Sequence, residues 1–381
     1  MFGQKLSVGI VGGGVGGIAA ALALHRRGIG VTVYEQADAA REAGAGLMLW
    51  PNGSRVVREL GLLEPVLARS GGSTQFTIRD VTGKAVRKIP LGRFDAPARC
   101  IRRADLLAIL LAEFPAGQIE LNRRLVGVHP QSAEVRLDFA GGASARHDAV
   151  IGADGIRSRV RAALFGEILP VYRGYTIWRG LAHYDGAAAE PGSNSETWGK
   201  GQRFGLLDTG GGRFTWYATA NLPAGQEDDP AGRKAELLQR FGNWHAPVAQ
   251  VIHHTPEMAI LKNGAYDLPR LRRWGRGRVT LLGDAAHPCT PNLGQGGCMA
   301  LEDALTLAKC CETGRPIEEA LRQYESLRQG RTHRIQQRSR LLGRLGQWED
   351  VALVSARHWL TRALPARWLE RTLAQVYAYQ T

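Results

Sequence analysis

The sequence has no uninterrupted apolar run of 18 residues: its first apolar stretch is broken by six glycines between Val8 and Ala19. A membrane-spanning helix needs about that length, so stable membrane insertion is not expected. Cysteine is scarce and unpaired. Cys100, Cys289, Cys298, Cys310 and Cys311 are odd in number and lack paired-ligand spacing, which argues against a disulfide framework and leaves no readable zinc or other metal site. No signal peptide is read at the start, so reduced thiols and a cytoplasmic location are expected. Repeats, low-complexity linkers and contiguous basic tails are also missing. The net charge of +14 comes mostly from scattered arginines, densest from Arg322 to Arg344. That distribution predicts solvated helix faces and no nucleic-acid partner.

What is present is glycine, at 48 of 381 residues, in a chain with 44% hydrophobic and 22% charged content. The charge and hydrophobicity are those of a folded protein, and the glycine signals tight turns and close backbone approaches. The length exceeds what one core usually fills, so two domains, or one with a large insertion, are expected.

The stretch from Arg278 to Ala304 is the densest in such signals. A buried strand over Val279 to Leu282 leads to Gly283-Asp284, then to Pro291 and a Gly294-Gln-Gly-Gly297 turn opening a helix through Leu307. Glycines at a helix start expose backbone N–H groups, and the helix dipole adds positive potential there. The turn is either a site for an electron-rich ligand or an ordinary crossover.

Near the other end, the strand Lys5 to Val11 precedes Gly12-x-Gly14-x-x-Gly17, a buried helix over Ile18 to Arg27 and a second strand over Val31 to Tyr34. Glu35 ends that strand, where an acid accepts hydrogen bonds from a ribose, and its sign favours an unphosphorylated one. Strand, glycine turn, helix, strand and acid together predict dinucleotide binding. Gly44 to Gly53 reads as an extended run ending in a Pro-Asn-Gly turn before an amphipathic helix over Ser54 to Leu60. A second buried strand, Ala149 to Ala153, ends in Asp154-Gly155, with a basic helix from Ile156. Strands also alternate around Thr82-Gly83 and from Val171 to Asn221, where Trp178, Trp198, Trp216 and Tyr217 serve either as core or as pocket walls. Met258 to Lys262 reads as a returning strand, and the terminal helices carry Trp348, Trp359 and Trp368.

In order, Gly12-x-Gly14-x-x-Gly17 with Glu35, Asp154-Gly155, and Gly283-Asp284 with Pro291 and Gly294 to Gly297 resemble the single-component FAD-dependent aromatic monooxygenases. These are the para-hydroxybenzoate hydroxylase-like group, and the pattern is most similar to the salicylate, hydroxynicotinate and urate hydroxylase branch. The resemblance spans about residues 5 to 345. It implies an α/β fold: a discontinuous Rossmann-like FAD-binding domain (1–72, 98–170, 265–345), an inserted, mainly antiparallel substrate-binding sheet (73–97, 171–264), and C-terminal helices (346–381).

The resemblance also implies roles. Gly12, Gly14, Val15, Gly16 and Gly17 hold the FAD pyrophosphate, and Glu35, with Arg41 as a looser match, holds the ribose. Arg103, or its neighbour Arg102, reaches the diphosphate or ribityl chain, Val126 lies along the adenine, and Asp154 is near the pyrophosphate. Asp284 accepts from a ribityl hydroxyl, Pro291 covers the isoalloxazine, and Gly294, Gly296 and Gly297 face its N1–C2=O edge. NADH or NADPH reduces the flavin, O2 forms a flavin hydroperoxide, and an aromatic or polycyclic substrate attacks its distal oxygen. Arg203 is the first candidate to hold the substrate anion and Arg179 the second, unless each lies on the outer face of the sheet. His287 either faces the site or is an internal hydrogen-bonding histidine. A related epoxidase, reductase or halogenase is the alternative, though no halogenase Trp-x-Trp-x-Ile-Pro segment is found, and a basic non-enzymatic flavin-binding protein ranks below it. Monomer and homodimer both fit.

Overall fold

The structure is a computed structural model, which describes residues 6–39, 46–184, 186, 192–226, 228–312 and 314–379. Its first layer is a five-stranded parallel sheet in the order Val279–Leu281, Ala149–Gly152, Ser7–Val11, Gly30–Tyr34 and Ile119–Glu120. These strands are short and almost continuously apolar because both faces are covered, as parallel sheets require. The helix Val15–His25 packs on the helix Gly296–Glu312, so the two glycine-rich helix starts belong to one layer. Chain segments distant in sequence therefore share one core.

The second layer is a seven-stranded sheet: Leu261–Asp267, Val171–His183, Arg213–Asn221, Gln202–Gly210, Ser193–Trp198, Gln75–Asp80 and Ala85–Pro90. Only Ser193–Trp198 and Gln75–Asp80 pair in parallel. The register places Arg179 opposite Tyr217, and Arg203 opposite Thr219 and Trp198. Because side chains alternate along a strand, these point to one face, while Trp178, Phe204 and Trp216 point to the other. The outer face is closed by the helices Arg233–Phe241 and Val248–His253, whose Leu237, Phe241, Val251 and Ile252 pack on those aromatics. The inner face meets the first layer.

This arrangement corrects part of the sequence reading. Trp178 and Trp216 are core residues of the outer face and wall no pocket between the layers; the Trp216 indole N–H donates to Thr255 Oγ1 at 2.8 Å. Trp198 is on the inner face but packs with Ile78, Val86 and Leu342, under the Arg357 guanidinium at 5.1 Å. Arg179 and Arg203 both lie on the inner face. Pro51-Asn52-Gly53 opens the helix Pro51–Glu59 instead of making a turn, since a proline at the first helical position loses no hydrogen bond. The helix after Asp154-Gly155 begins at Arg159, where the Ser158 side chain caps the Arg161 N–H. The returning strand is Leu261–Asp267, with Glu257–Ala259 a short 3-10 turn after Pro256.

The helix Ile317–Gly346, 30 residues and about 45 Å long, spans both layers. Arg328 and Arg331 reach the first layer, and Arg340 pairs with Asp267 of the second at 2.5 Å. The helices Val351–Ala363 and Ala366–Tyr377 follow it, and Trp348 lies in the connection before them.

Candidate functional site

The glycines of the first turn are required by contact. Gly12 has a φ of +114°, and a Cβ there would lie 2.4 Å from the Ala153 carbonyl oxygen. At Gly17 it would lie 2.0 Å from the Gly12 carbonyl oxygen. The helix Val15–His25 starts with no side-chain cap and no acid in its first turn, an arrangement that accepts an anion. Glu35 folds back over the turn, accepting from the Gly13 N–H at 2.7 Å and the Ala37 N–H at 2.9 Å. Arg41 lies outside the described residues. Val126 is 57% exposed, on the strand Leu125–Pro130 of a separate three-stranded antiparallel sheet. Asp154 sits next to Gly12, yet its carboxylate is engaged by the Ser158 hydroxyl and the Arg159 and Val160 amides. Burial pushes its pKa up against those hydrogen bonds.

The loop from Gly283 to Gly297 brings four groups to one rim. Asp284 is exposed, and a Cβ at Gly296 would lie 4.0 Å from its Oδ1, so the acid stands beside the start of the helix Gly296–Glu312. No hydrogen bond joins Asp284 to another described residue. Gly294 has a φ of +60°, and a Cβ there would lie 2.9 Å from the Trp50 Nε1. At Gly297 it would lie 2.6 Å from Leu47. Pro291 is exposed at the head of a short 3-10 turn, Pro291–Leu293. First-turn amides lack intrahelical acceptors, so this rim presents donors and positive potential beside one carboxylate.

Beneath the loop lies an ionic network. His287 Nε2 meets Asp303 Oδ2 at 2.5 Å, the Gly283 N–H donates to that oxygen at 3.0 Å, and Arg328 Nε donates to Asp303 Oδ1 at 2.6 Å. Arg328 also pairs with Glu302 at 2.6 Å, as does Arg331. Asp303 and Glu302 are fully buried. Burial works against ionisation of Asp303, but His287 and Arg328 outweigh it and hold its pKa at about 2. His287 is thus an internal hydrogen-bonding histidine that anchors the loop. The sequence reading missed Glu302, Asp303, Arg328 and Arg331. The available signal was an acid pair inside the apolar run Met299-Ala-Leu-Glu-Asp-Ala-Leu305, with two arginines three apart on a later helix.

On the inner face of the large sheet, Arg203 is 2% exposed and fully engaged. Its guanidinium donates to Glu196 at 3.0 Å, Gln347 at 2.9 Å and Asn292 Oδ1 at 2.6 Å. Asn292 in turn donates to Thr290 Oγ1 and the Ser339 carbonyl, both at 2.9 Å. A Cβ at Gly343 would lie 2.5 Å from Asn292, and one at Gly346 would lie 2.9 Å from Arg203, so the long helix is glycine where it carries this network. Arg203 therefore braces the Pro291–Leu293 turn.

Arg179 differs. No ion pair or hydrogen bond to a described residue holds it, and burial, then the like charge of Arg103, pushes its pKa down. Arg102 pairs with Asp105 at 3.8 Å, and Arg103 is the arginine whose charge acts on Arg179. Opposite Arg179, burial and then Glu196 push the Tyr217 phenol well up, which keeps it a neutral donor. Gly205 carries no side chain because Tyr217 lies across it: a Cβ there would sit 2.2 Å from the ring. Burial also pushes up the thiols of all five cysteines, so none supplies a thiolate nucleophile.

Comparison with known proteins shows the cofactor to be FAD. The FAD binding domain family matches residues 5–339. The chain is 38% identical over 365 residues to the aurachin C monooxygenase/isomerase of Stigmatella aurantiaca, covering 94% of both chains. It is 36% identical to the 3-amino-4-hydroxybenzoate 2-monooxygenase of Streptomyces cremeus, covering 90% of this chain and 88% of that one. In three dimensions it is similar to Klebsiella pneumoniae HpxO complexed with FAD and uric acid, with a TM-score of 0.91 and 29% identity over 98% of this chain and 96% of that one.

The Asp303 network predicts a pH signature. Its pKa of about 2 lies below the unfolded value of about 3.9. Its pairing thus stabilises the fold fully above about pH 4 and is lost as pH falls from there toward 2. Asp303→Ala leaves Arg328 buried beside one carboxylate fewer, and should cost roughly 3–5 kcal/mol. Urea denaturation at pH 7 should show that loss, and the gap between parent and variant should narrow on acidification. A constant gap from pH 7 to 3 would remove Asp303 from the account.

Proposed function

The chain belongs to the FAD binding domain family of FAD-dependent aromatic monooxygenases, and from that membership we propose that Arg179 selects the substrate, an electron-rich aromatic carrying an ionisable hydroxyl or carboxylate. The enzyme is an FAD-dependent monooxygenase that uses NAD(P)H and O2. When bound, FAD supplies the redox chemistry, taking electrons from the nicotinamide and delivering one oxygen atom to the substrate ring.

The residues present fit FAD. A cradle that side chains would fill at Gly12, Gly17 and Gly297, an exposed carboxylate at Asp284 and an exposed apolar side chain at Val126 match a diphosphate, a ribityl chain and an adenine. In this reading Gly14, Val15 and Gly16 complete the diphosphate turn and Glu35 accepts from the ribose. Asp154 holds its loop beside Gly12, and Arg103 meets the diphosphate or ribityl chain. Asp284 accepts from a ribityl hydroxyl. The amides of Gly296 and Gly297, with the dipole of a 17-residue helix, stabilise negative charge on the ring edge they face. Pro291 gives the ring a rigid apolar wall with no N–H of its own.

The single observation that carries the substrate reading is the pair of arginines on the inner face. Arg203 has spent its donors on Glu196, Gln347 and Asn292, whereas Arg179 has no hydrogen bond or ion pair to a described residue and lies close to a like charge. An anion between Arg179 and Arg103 relieves that repulsion, and a phenolate held there is the nucleophilic form of the ring. Tyr217 supplies a neutral hydroxyl on the same face, and the Arg203–Asn292 brace keeps the turn closed against water. The role assigned to Arg203 thus moves from substrate contact to positioning. We further read the protein as a cytoplasmic monomer or homodimer without stable membrane insertion. No described helix is long and apolar enough to cross a membrane.

Purified protein should be yellow, and phenolic or heteroaromatic acids should stimulate its NAD(P)H oxidation. Labelled O2 should place one labelled atom in the product; consumption of NAD(P)H with unlabelled, reduced product would overturn the monooxygenase reading. Arg179→Gln should raise KM for an anionic substrate about 10- to 100-fold, the size of one lost charge-assisted hydrogen bond of about 1.5–3 kcal/mol, with little change for an uncharged analogue. Equal effects on both would show that Arg179 is structural. Asp284→Ala should release FAD on gel filtration while the far-UV circular dichroism stays unchanged, and equal FAD content in variant and parent would count against the ribityl contact.

A further inference from the structure

The helix Val351–Ala363 is turned inside out. At about 100° per residue, Ala352, Leu353, Ala356, Trp359, Leu360 and Ala363 fall on one stripe, the side that soluble helices bury. Here that stripe faces outward: Trp359 is 66%, Leu360 50% and Leu353 44% exposed. The buried residue is Arg357, 3% exposed, which donates to the carbonyls of Gly346 and Gly199 at 2.9 Å. The helix is thus fixed to the body by a cation, and its apolar stripe has no partner among the described residues.

The next helix, Ala366–Tyr377, also carries an exposed tryptophan. Trp368 is 53% exposed, and Arg367 and Arg371 are exposed with it. Between this helix and the strand Ala85–Pro90 runs a groove of about 450 Å³ rimmed by Arg87, Lys88, Arg93, Arg367 and Arg371. Glu370 is the one acid lining it, and it is paired with Arg93 at 2.6 Å. Ile89, Phe94 and Leu373 line the same groove and pack against the apolar cluster that contains Trp50, Leu207 and Tyr377. The outer face is therefore continuous, through packed apolar side chains, with the region beside the Pro291 turn.

We propose that these two helices dock the protein on the surface of an anionic lipid bilayer. Aromatic side chains flanked by arginine and lysine fit the headgroup boundary, where an indole is half in hydrocarbon and half in water and the bases meet lipid phosphates. A second copy of this chain is disfavoured, because a two-fold contact through this face sets the same cluster of positive charges against itself. The face does not span: it lies on the surface. The proposal stands apart from the substrate reading, since it rests on the C-terminal helices and on no residue of the flavin cleft.

The test is co-sedimentation of full-length, FAD-loaded protein with vesicles of phosphatidylcholine and phosphatidylglycerol in a two-to-one mixture, against pure phosphatidylcholine. Binding to the anionic vesicles should exceed that to neutral ones by at least ~10-fold, weaken at about 1 M salt, and blue-shift the tryptophan fluorescence. The double variant Trp359→Ser with Leu360→Ser should lose at least ~10-fold in vesicle binding while keeping the parent's FAD content and NAD(P)H oxidation rate. No binding to anionic vesicles would overturn the proposal, as would equal binding by the variant. So would a concentration-dependent dimer in the parent that the variant abolishes, since the stripe would then be a subunit interface.

Discussion

Two adjacent carboxylates, Glu302 and Asp303, are held at zero exposure inside the helix Gly296–Glu312 by two arginines from the helix Ile317–Gly346. Isolated, either charge would cost several kcal/mol to bury, so helix, partner helix and loop must close together or not at all. The other Asp303 oxygen, Oδ2, binds the Gly283 N–H and His287, which puts the Gly283–Asp284 corner under the control of that closure. Glu302 reaches the other way, accepting from Asn52 at 2.7 Å at the start of the helix Pro51–Glu59. One ionic knot thereby fixes both sides of the cleft in which the glycine helix start and Asp284 face outward. It offers the net stability of a buried pair, which is modest, and a single allowed arrangement of the loop.

The long helix carries this control into the second layer. Ser339 holds Thr290, Gly343 makes room for Asn292, Gly346 makes room for Arg203, and Gln347 binds Arg203 and Thr219. The Pro291 turn is thus held from below by this helix together with Arg203 and Tyr175 of the large sheet, which both bond Asn292. Arg203 is satisfied by design of this network, and its charge is cancelled by Glu196. Arg179, two strands away and opposite Tyr217, is left outside it. The inner face consequently separates two arginines that look alike in sequence: Arg203 is held in a hydrogen-bond network, and Arg179 has no hydrogen bond or ion pair to a described residue.

The sequence was most readable where backbone chemistry dictates residue type. Gly12 and Gly17 can be nothing else, because carbonyl oxygens stand 2.4 Å and 2.0 Å from where a Cβ would be, and the strand, turn and acid around them repeat that constraint in local order. The family, the α/β fold and the cofactor followed from such positions. Side-chain direction was less readable. Trp178 and Trp216 sit in strands whose alternation is clear, yet alternation alone does not say which face meets the flavin layer and which meets the helices Arg233–Phe241 and Val248–His253. That choice is made by residues far away, through Leu237, Phe241, Val251 and Ile252. The Arg203 and Arg179 assignment failed to resolve for the same reason, since both lie on the inner face and only the partners Glu196, Gln347 and Asn292 distinguish them.

The C-terminal helices show the converse limit. The sequence shows terminal helices that carry Trp359 and Trp368, but not which of their faces is covered. The structure turns the Trp359 stripe outward because Arg357 donates to the carbonyls of Leu345 and Gly346 at the end of the long helix, where C-terminal acceptors lack intrahelical donors, and to that of Gly199 beside the strand Ser193–Trp198. A guanidinium satisfied at a helix C-terminus and stacked on Trp198 competes well with an apolar stripe that has no groove to enter. The apolar face is then the consequence of a polar anchor. What fixes the helices to the body is the same chemistry that fixes the Gly283–Asp284 corner, a buried arginine against backbone carbonyls in one case and against a carboxylate in the other.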